Sequence, residues 1–252
     1  MTQEVKSDKE LFSVEGEVAL QDELQKKKEG QEGQQPSAAQ ELTSAYYSSV
    51  AFEPGSETKP SEEYQRALRE LENAGKAYSP SQAFWNSVLF GGLGGVVAVP
   101  AVFLVGNGSW ISLFCVTILG PFLEETVKQF GMVYLMERRP SLLRYGWQFF
   151  VSAVCGGAVF SFIENLIYRY VYLANLPAEQ LAETMAWRWV ECTLMHIACP
   201  LISGLGLRRV WLACKIEGIP NRIERAFPWF VAAMVVHGGY NLLMIVFQRK
   251  LF

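Results

Sequence analysis

Residues 122–130, "FLEETVKQF", carry two adjacent carboxylates and a lysine inside a stretch that is otherwise apolar enough for a lipid bilayer. Glu124 and Lys128 are four residues apart, so in a helix their side chains share one face, whereas Glu125 points about 100° away from Glu124. A charge at bilayer depth costs on the order of 2.5–3.5 kcal/mol, so such residues normally face the bundle interior and pair with one another. We therefore expect Glu124, Glu125 and Lys128 to belong to a shared polar site.

Polar residues also interrupt three other apolar segments. Glu164 and Asn165 lie in "FSFIENLIY", His196 lies in "RWVECTLMHIACPLISG", and His237 and Asn241 lie in "VHGGYNLL". His196 and His237 are the only two histidines of the chain. Because four successive apolar segments each supply acids, imidazoles or amides, the sequence predicts one site assembled from four membrane helices.

This combination of side chains suits the hydrolysis of an amide bond in either of two ways. Histidine nitrogen and carboxylate oxygen are natural ligands for a catalytic zinc that keeps one position open for water. A further glutamate would then act as a base towards that water. Without a metal, glutamate and histidine could activate water directly, while histidine and asparagine donors stabilise an oxyanion. The residues alone leave both mechanisms open.

The elements that must position these residues are membrane helices. From Ala77 to Leu123 the chain has 47 residues without a single Asp, Glu, Lys or Arg, and about 20 apolar residues already suffice to cross a bilayer. The predicted spans are Ala83–Val105, Trp110–Met136, Phe149–Leu173, Trp187–Leu212 and Phe227–Phe247. We therefore expect an all-α fold, a polytopic membrane helix bundle of about five transmembrane helices with a mostly disordered N-terminal tail.

The N-terminal part of the chain differs sharply in composition from the rest. Residues 1–80 hold 16 of the 25 acidic residues and 9 of the 22 basic ones. Residues 1–60, rich in Gln, Glu, Lys and Ser, bury too little apolar surface to offset their ordering entropy and are predicted to be a disordered polar tail. Residues 61–80 predict an amphipathic helix, ending at Gly75, and a linker. Residues 81–252 form the predicted membrane domain.

Positive charge predicts the orientation in the membrane. The links after the second and fourth spans are basic, and their basic residues are Arg138, Arg139, Arg144, Arg208, Arg209, Lys215, Arg222 and Arg225. Basic links are usually cytoplasmic, which predicts a cytoplasmic N-terminus. Arg188 and Glu191 are expected near the opposite membrane edge, where snorkelling explains them without a catalytic role.

In order and spacing, the four polar segments resemble the PrsW family of membrane proteases, over roughly residues 84–247. That family looks like a branch of the group that includes the CAAX prenyl endopeptidases and bacterial immunity proteins, whose patterns are EExxxR, FxxxH and HxxxN or HxxxD. Here the first pattern is EExxK, ending at Lys128, and Glu164 stands where the wider group has histidine. This departure matches PrsW rather than the prenyl endopeptidases.

The resemblance implies an intramembrane endopeptidase that cuts a membrane protein substrate, typically an anti-sigma factor, in a bacterial inner membrane. Carried onto this sequence, it suggests Glu124 as the water-activating base, supported by Glu125 and neutralised by Lys128. The metal or water site would be formed by Glu164, His196 and His237, with zinc as the expected ion. Supporting and oxyanion donors would come from Asn165 and Asn241.

Two other classes of function are compatible with the same residues. Intramembrane carboxylates and histidines also build ion- or proton-coupled transporters, although five spans show no evident inverted repeat. A catalytically inactive scaffold that binds transmembrane helices is the third possibility. In each case the expected partners are the lipid bilayer and membrane proteins, and no nucleic acid is expected. The sequence leaves the oligomeric state open.

Overall fold

A computed structural model describes residues 62–104, 110–217 and 222–247 of this chain. The predicted disorder of residues 1–60 concerns residues outside these ranges. The described residues are mainly α-helical and contain no strand. Their α-helices are α1 (Glu62–Gly75), α2 (Pro80–Ala98), α3 (Trp110–Phe114), α4 (Gly120–Lys128), α5 (Phe130–Arg138), α6 (Gln148–Ile167), α7 (Ala178–Trp187), α8 (Thr193–Glu217) and α9 (Phe227–Val246).

Five helical stretches among the described residues are long and apolar enough to cross a membrane, as the sequence predicts. Several join two helices through a 3₁₀ or π-helical turn. In chain order the spans are Pro80–Leu104, Trp110–Lys128, Gln148–Tyr172, Ala178–Ile216 and Ile223–Val246. The prediction of an all-α membrane bundle with five spans is therefore confirmed.

The second span is shorter than predicted, because the helix breaks at Gln129. This residue has φ −85° and ψ −3° and separates α4 from α5. Its buried side-chain amide donates to the carbonyl of Pro200, at 2.7 Å, and to Oγ of Ser203, at 2.9 Å. The predicted continuous span to Met136 was wrong because this long-range contact leaves no local signal in the sequence.

The fourth span begins earlier than predicted. Between the predicted spans Phe149–Leu173 and Trp187–Leu212 lies the acidic segment "NLPAEQLAET", whose composition predicts a link on the side opposite the basic links. In the structure, however, α7 begins within it at Ala178, immediately after Pro177. A π-helical turn, Arg188–Cys192, then joins α7 to α8. The residues of α7 are mostly strong helix formers, Ala, Glu, Gln, Leu and Met, so helix propensity prevails over the acidic composition that suggested a link.

Glycines allow the spans to approach closely. A Cβ added to Gly91, Gly94 or Gly95 of α2 would overlap a backbone carbonyl oxygen of α4 or α6. Gly92 is different, because its nearest neighbour would be a Val159 methyl group at 3.8 Å. Small residues at helix interfaces serve this purpose in membrane bundles. The first span is thereby held against the backbone of Lys128, within the predicted site.

Candidate active site

Four buried side chains from three spans converge in the bundle interior. Glu124 and Glu125 come from α4, His196 from α8 and His237 from α9. One potential metal-ligating atom from each lies within 4.8 Å of those from the other three. Each of these residues is at most 6% exposed. The site residues predicted from distant segments are therefore brought together, with Glu164 of α6 one contact away.

His237 lies between the two adjacent glutamates. Its Nδ1 is 2.8 Å from Oε1 of Glu125, and its Nε2 is 3.8 Å from Oε2 of Glu124. An ionised carboxylate only accepts hydrogen bonds, so the short contact assigns the proton to Nδ1. In the neutral imidazole the unprotonated nitrogen is then Nε2, which faces Glu124.

His196 has the opposite arrangement. Its Nε2 is 2.9 Å from Oε2 of Glu164, while its Nδ1 is 3.0 Å from Nζ of Lys128 and 3.9 Å from Oε2 of Glu124. A lysine ammonium only donates and a carboxylate only accepts, so both partners place the proton on Nε2. In their neutral forms the two imidazoles therefore present opposite unprotonated nitrogens towards the same carboxylate oxygen.

Lys128 neutralises much of the buried negative charge. Its Nζ lies 2.8 Å from Oε1 of Glu125 and 3.5 Å from Oε2 of Glu124, and 4.0 Å from the centre of the Phe160 ring. The side chain is 2% exposed. Two adjacent carboxylates that would repel each other in lipid are thus held by one ammonium group.

The donor set fits a divalent transition metal such as zinc. Zinc binds nitrogen and oxygen at about 2.0–2.2 Å, so tetrahedral ligand atoms lie about 3.4 Å apart. The 3.8 and 3.9 Å separations between Oε2 of Glu124 and the two imidazole nitrogens are close to that value. Each histidine also bonds a carboxylate through its other nitrogen, which is the usual support of a metal-ligating histidine.

The environment of the Glu125 carboxylate also fits a metal ion at this site. Oε2 of Glu125 is buried and has no hydrogen-bond partner among the described residues. A buried carboxylate oxygen without a partner is costly. A metal centre next to this carboxylate would lower that cost.

A small cavity adjoins Glu124, His196 and His237. Its volume is about 40 Å³, which is room for a few water molecules at ~10–15 Å³ each. It lies towards the ends of the spans opposite the basic links, and three π-helical turns contribute to its wall: Cys115–Leu119, Tyr168–Tyr172 and Arg188–Cys192. Such turns occur frequently at functional sites.

Glu164 faces the cavity and is held by an arginine that the sequence interpretation missed. Nη2 of Arg188 lies 2.9 Å from Oε2 of Glu164, the oxygen that also contacts His196. Arg188 is 1% exposed, so the predicted snorkelling of its side chain to the interface was wrong, whereas Glu191 is exposed as expected. The signal in the sequence was the spacing, since Arg188 precedes His196 by eight residues, about two helical turns.

The two asparagines are both used in contacts between spans. Asn165 accepts a hydrogen bond from Nε of Arg188, at 3.1 Å, and its amide lies 3.4 Å from Oγ of Ser161. Asn241 is half-buried and donates to the carbonyl of Val116, at 2.9 Å. Asn241 lines the cavity. In this arrangement both side-chain amides support the site from its edge.

Comparison with known proteins identifies one family. The family model described as PrsW family intramembrane metalloprotease matches residues 80–251, more than half of the chain. The matched region contains all five spans and every residue of the site. Comparisons with curated proteins and with solved structures gave no match.

Proposed function

Because the chain belongs to the PrsW family of intramembrane metalloproteases, we propose that it is a metal-dependent endopeptidase that hydrolyses peptide bonds of a membrane protein substrate. One observation carries the proposal. Two buried imidazoles each turn one ring nitrogen towards Oε2 of Glu124, at 3.8 and 3.9 Å, beside a cavity large enough for water.

Glu124, His196 and His237 would hold the metal, and zinc is the ion that this donor set favours. When bound there, zinc would supply Lewis-acid chemistry towards a water molecule and the carbonyl of the scissile peptide. The contact between Nδ1 of His196 and Nζ of Lys128 must be given up on metal binding, since both use the same lone pair. Lys128 keeps its contact with Glu125 and continues to neutralise the glutamate pair.

Glu164 is the proposed general base. Its contacts with Arg188 and His196 both use Oε2, and the residue lines the cavity, so Oε1 is available to a bound water. This oxygen accepts the proton of the attacking water and returns it to the leaving amine. The two glutamates thus exchange the roles predicted from the sequence, in which Glu124 was the base and Glu164 a ligand.

The substrate is proposed to be a single-span membrane protein, of which an anti-sigma factor is the example that the family resemblance suggests. The basic links favour a cytoplasmic N-terminus and, with the family, a bacterial inner membrane. In this orientation the cavity lies in the outer half of the bilayer, so the scissile bond lies there too. Because the cavity holds only a few waters, the substrate segment must enter by local separation of the helices.

The test uses purified protein in liposomes together with a panel of single-span membrane proteins, and mass spectrometry of the fragments. Glu124→Gln should abolish cleavage while the protein stays folded, because the third ligand loses its charge. Glu191→Gln is the matched control, since Glu191 is exposed in the π-helical turn that begins at Arg188. Unchanged proteolysis by the Glu124→Gln variant would contradict the proposal.

A further inference from the structure

Arg188 lies at a point where a positive charge is costly. It is the first residue of the π-helical turn Arg188–Cys192, in the fourth membrane span, and it is 1% exposed. A charge buried at membrane depth normally pairs with specific partners and marks a functional position. Its contacts therefore indicate what it does.

All three contacts of the guanidinium lie on one neighbouring span. Nη2 contacts Oε2 of Glu164 at 2.9 Å, and Nε contacts Oδ1 of Asn165 at 3.1 Å. The guanidinium carbon lies 3.4 Å from the centre of the Tyr168 ring. An ion pair, a hydrogen bond to a neutral side-chain amide and a ring contact together fix the position of the guanidinium group.

Arg188 and His196 both contact the same oxygen atom of Glu164. Oε2 of Glu164 is 2.9 Å from Nη2 of Arg188 and 2.9 Å from Nε2 of His196. We propose that Arg188 is a positioning residue that acts through Glu164: by fixing the shared oxygen, it holds the His196 ring in the orientation that turns Nδ1 towards Glu124. The catalytic consequence rests on the proposed function, but the ring orientation does not.

Lysine cannot replace this arrangement. Arginine offers several donors in a planar fork, whereas lysine is a point charge on a flexible stem. In Arg188→Lys the charge opposite Glu164 remains, but the bond to Asn165 and the stacking on Tyr168 are lost together. Glu164 then becomes free to rotate, and its bond to His196 no longer has a fixed direction.

The test exploits the fact that the chain has only two histidines. In protein labelled with ¹⁵N-histidine, the Nε2 resonance of His196 reports the bond of this ring to Glu164, and His237→Gln assigns the two histidines. We expect this resonance to shift and broaden in Arg188→Lys, because Glu164 is no longer held in place, whereas the His237 resonances stay unchanged. Arg169→Lys is the control, since Arg169 is exposed near the same end of the neighbouring span.

Kinetics and metal binding give a second readout. Loss of a residue that supports a metal ligand typically costs 10–100-fold in metal affinity or activity. Arg188→Lys should therefore lower kcat by 10–100-fold with little change in KM, and should lower the zinc affinity measured by chelator competition. A wild-type kcat together with an unchanged His196 spectrum would overturn the inference.

A paired variant addresses folding. Breaking a buried ion pair by removing one partner is strongly destabilising, whereas replacing both is often tolerated. If Arg188→Lys does not fold, Arg188→Met combined with Glu164→Gln should fold and show the same change at Nε2 of His196. A wild-type Nε2 resonance there would refute the positioning role. Absence of cleavage and of metal in a wild type whose His196 Nε2 bonds Glu164 would instead refute the proposed function.

Discussion

Gly238 follows His237 directly and lies where the second and fifth spans touch. A Cβ at this position would overlap the carbonyl oxygen of Thr117 and lie 3.2 Å from its carbonyl carbon. Both neighbours are backbone atoms, so neither can rotate away. Carbon contacts are normal at about 3.5–4.0 Å, so in Gly238→Ala the two helices must separate by roughly 1 Å or more.

The separation has two expected consequences. Overpacking of a tight interface costs about 1–3 kcal/mol of stability, and a 1 Å displacement of a catalytic group can cost about 100-fold in rate. Because the substitution moves His237 relative to Glu124, we expect Gly238→Ala to lower kcat about 100-fold and to reduce thermal stability in detergent.

Gly239→Ala is the matched control for this prediction. No described atom lies within 4 Å of a Cβ at Gly239, so the same substitution one residue later should leave both quantities near their wild-type values. Cleavage kinetics in liposomes and thermal unfolding in detergent would be measured for both variants. Equal effects at the two positions would refute the reasoning, because the overlap with the Thr117 backbone at Gly238 could then not be the cause of the loss.

Two further predictions concern the same site. Gly94→Ala should reduce activity and stability because its Cβ would overlap the carbonyl oxygen of Lys128, whereas Gly92→Ala should be silent; similar thermal unfolding of the two variants would contradict this. Glu124→Gln should lose both metal and cleavage, whereas Glu164→Gln should lose cleavage but keep most of its metal. Elemental analysis of both glutamine variants checks the assignment, and metal retained in Glu124→Gln would exclude Glu124 as a ligand.

The membrane spans could be predicted because lipid imposes a length and a composition that a sequence displays directly. The grouping of His196, His237 and Glu124 followed from the same physics, since buried charges and imidazoles in lipid must find partners. The span boundaries that were predicted wrongly depended on features other than length and composition. The break at Gln129 is stabilised by a contact with Pro200, more than seventy residues away.

The finer organisation of the site was beyond sequence reasoning for a geometric reason. Helical spacing shows that Glu124 and Glu125 point in different directions, but not which one meets both imidazoles. That depends on how α8 and α9 pack against α4. Arg188 was missed because it lies close to the start of its predicted span, where an arginine usually reaches the interface, and only the fold brings it to Glu164.

The most direct test of the account is the metal content of the purified, detergent-solubilised protein, determined by elemental analysis beside a His196→Ala and His237→Ala double variant. The account predicts near-stoichiometric zinc in the wild type and its loss in the double variant, because both imidazoles are proposed ligands. A wild type that is folded, free of metal, resistant to chelators and still able to cleave its substrate would contradict the account, and would mean that glutamate and histidine activate the water themselves.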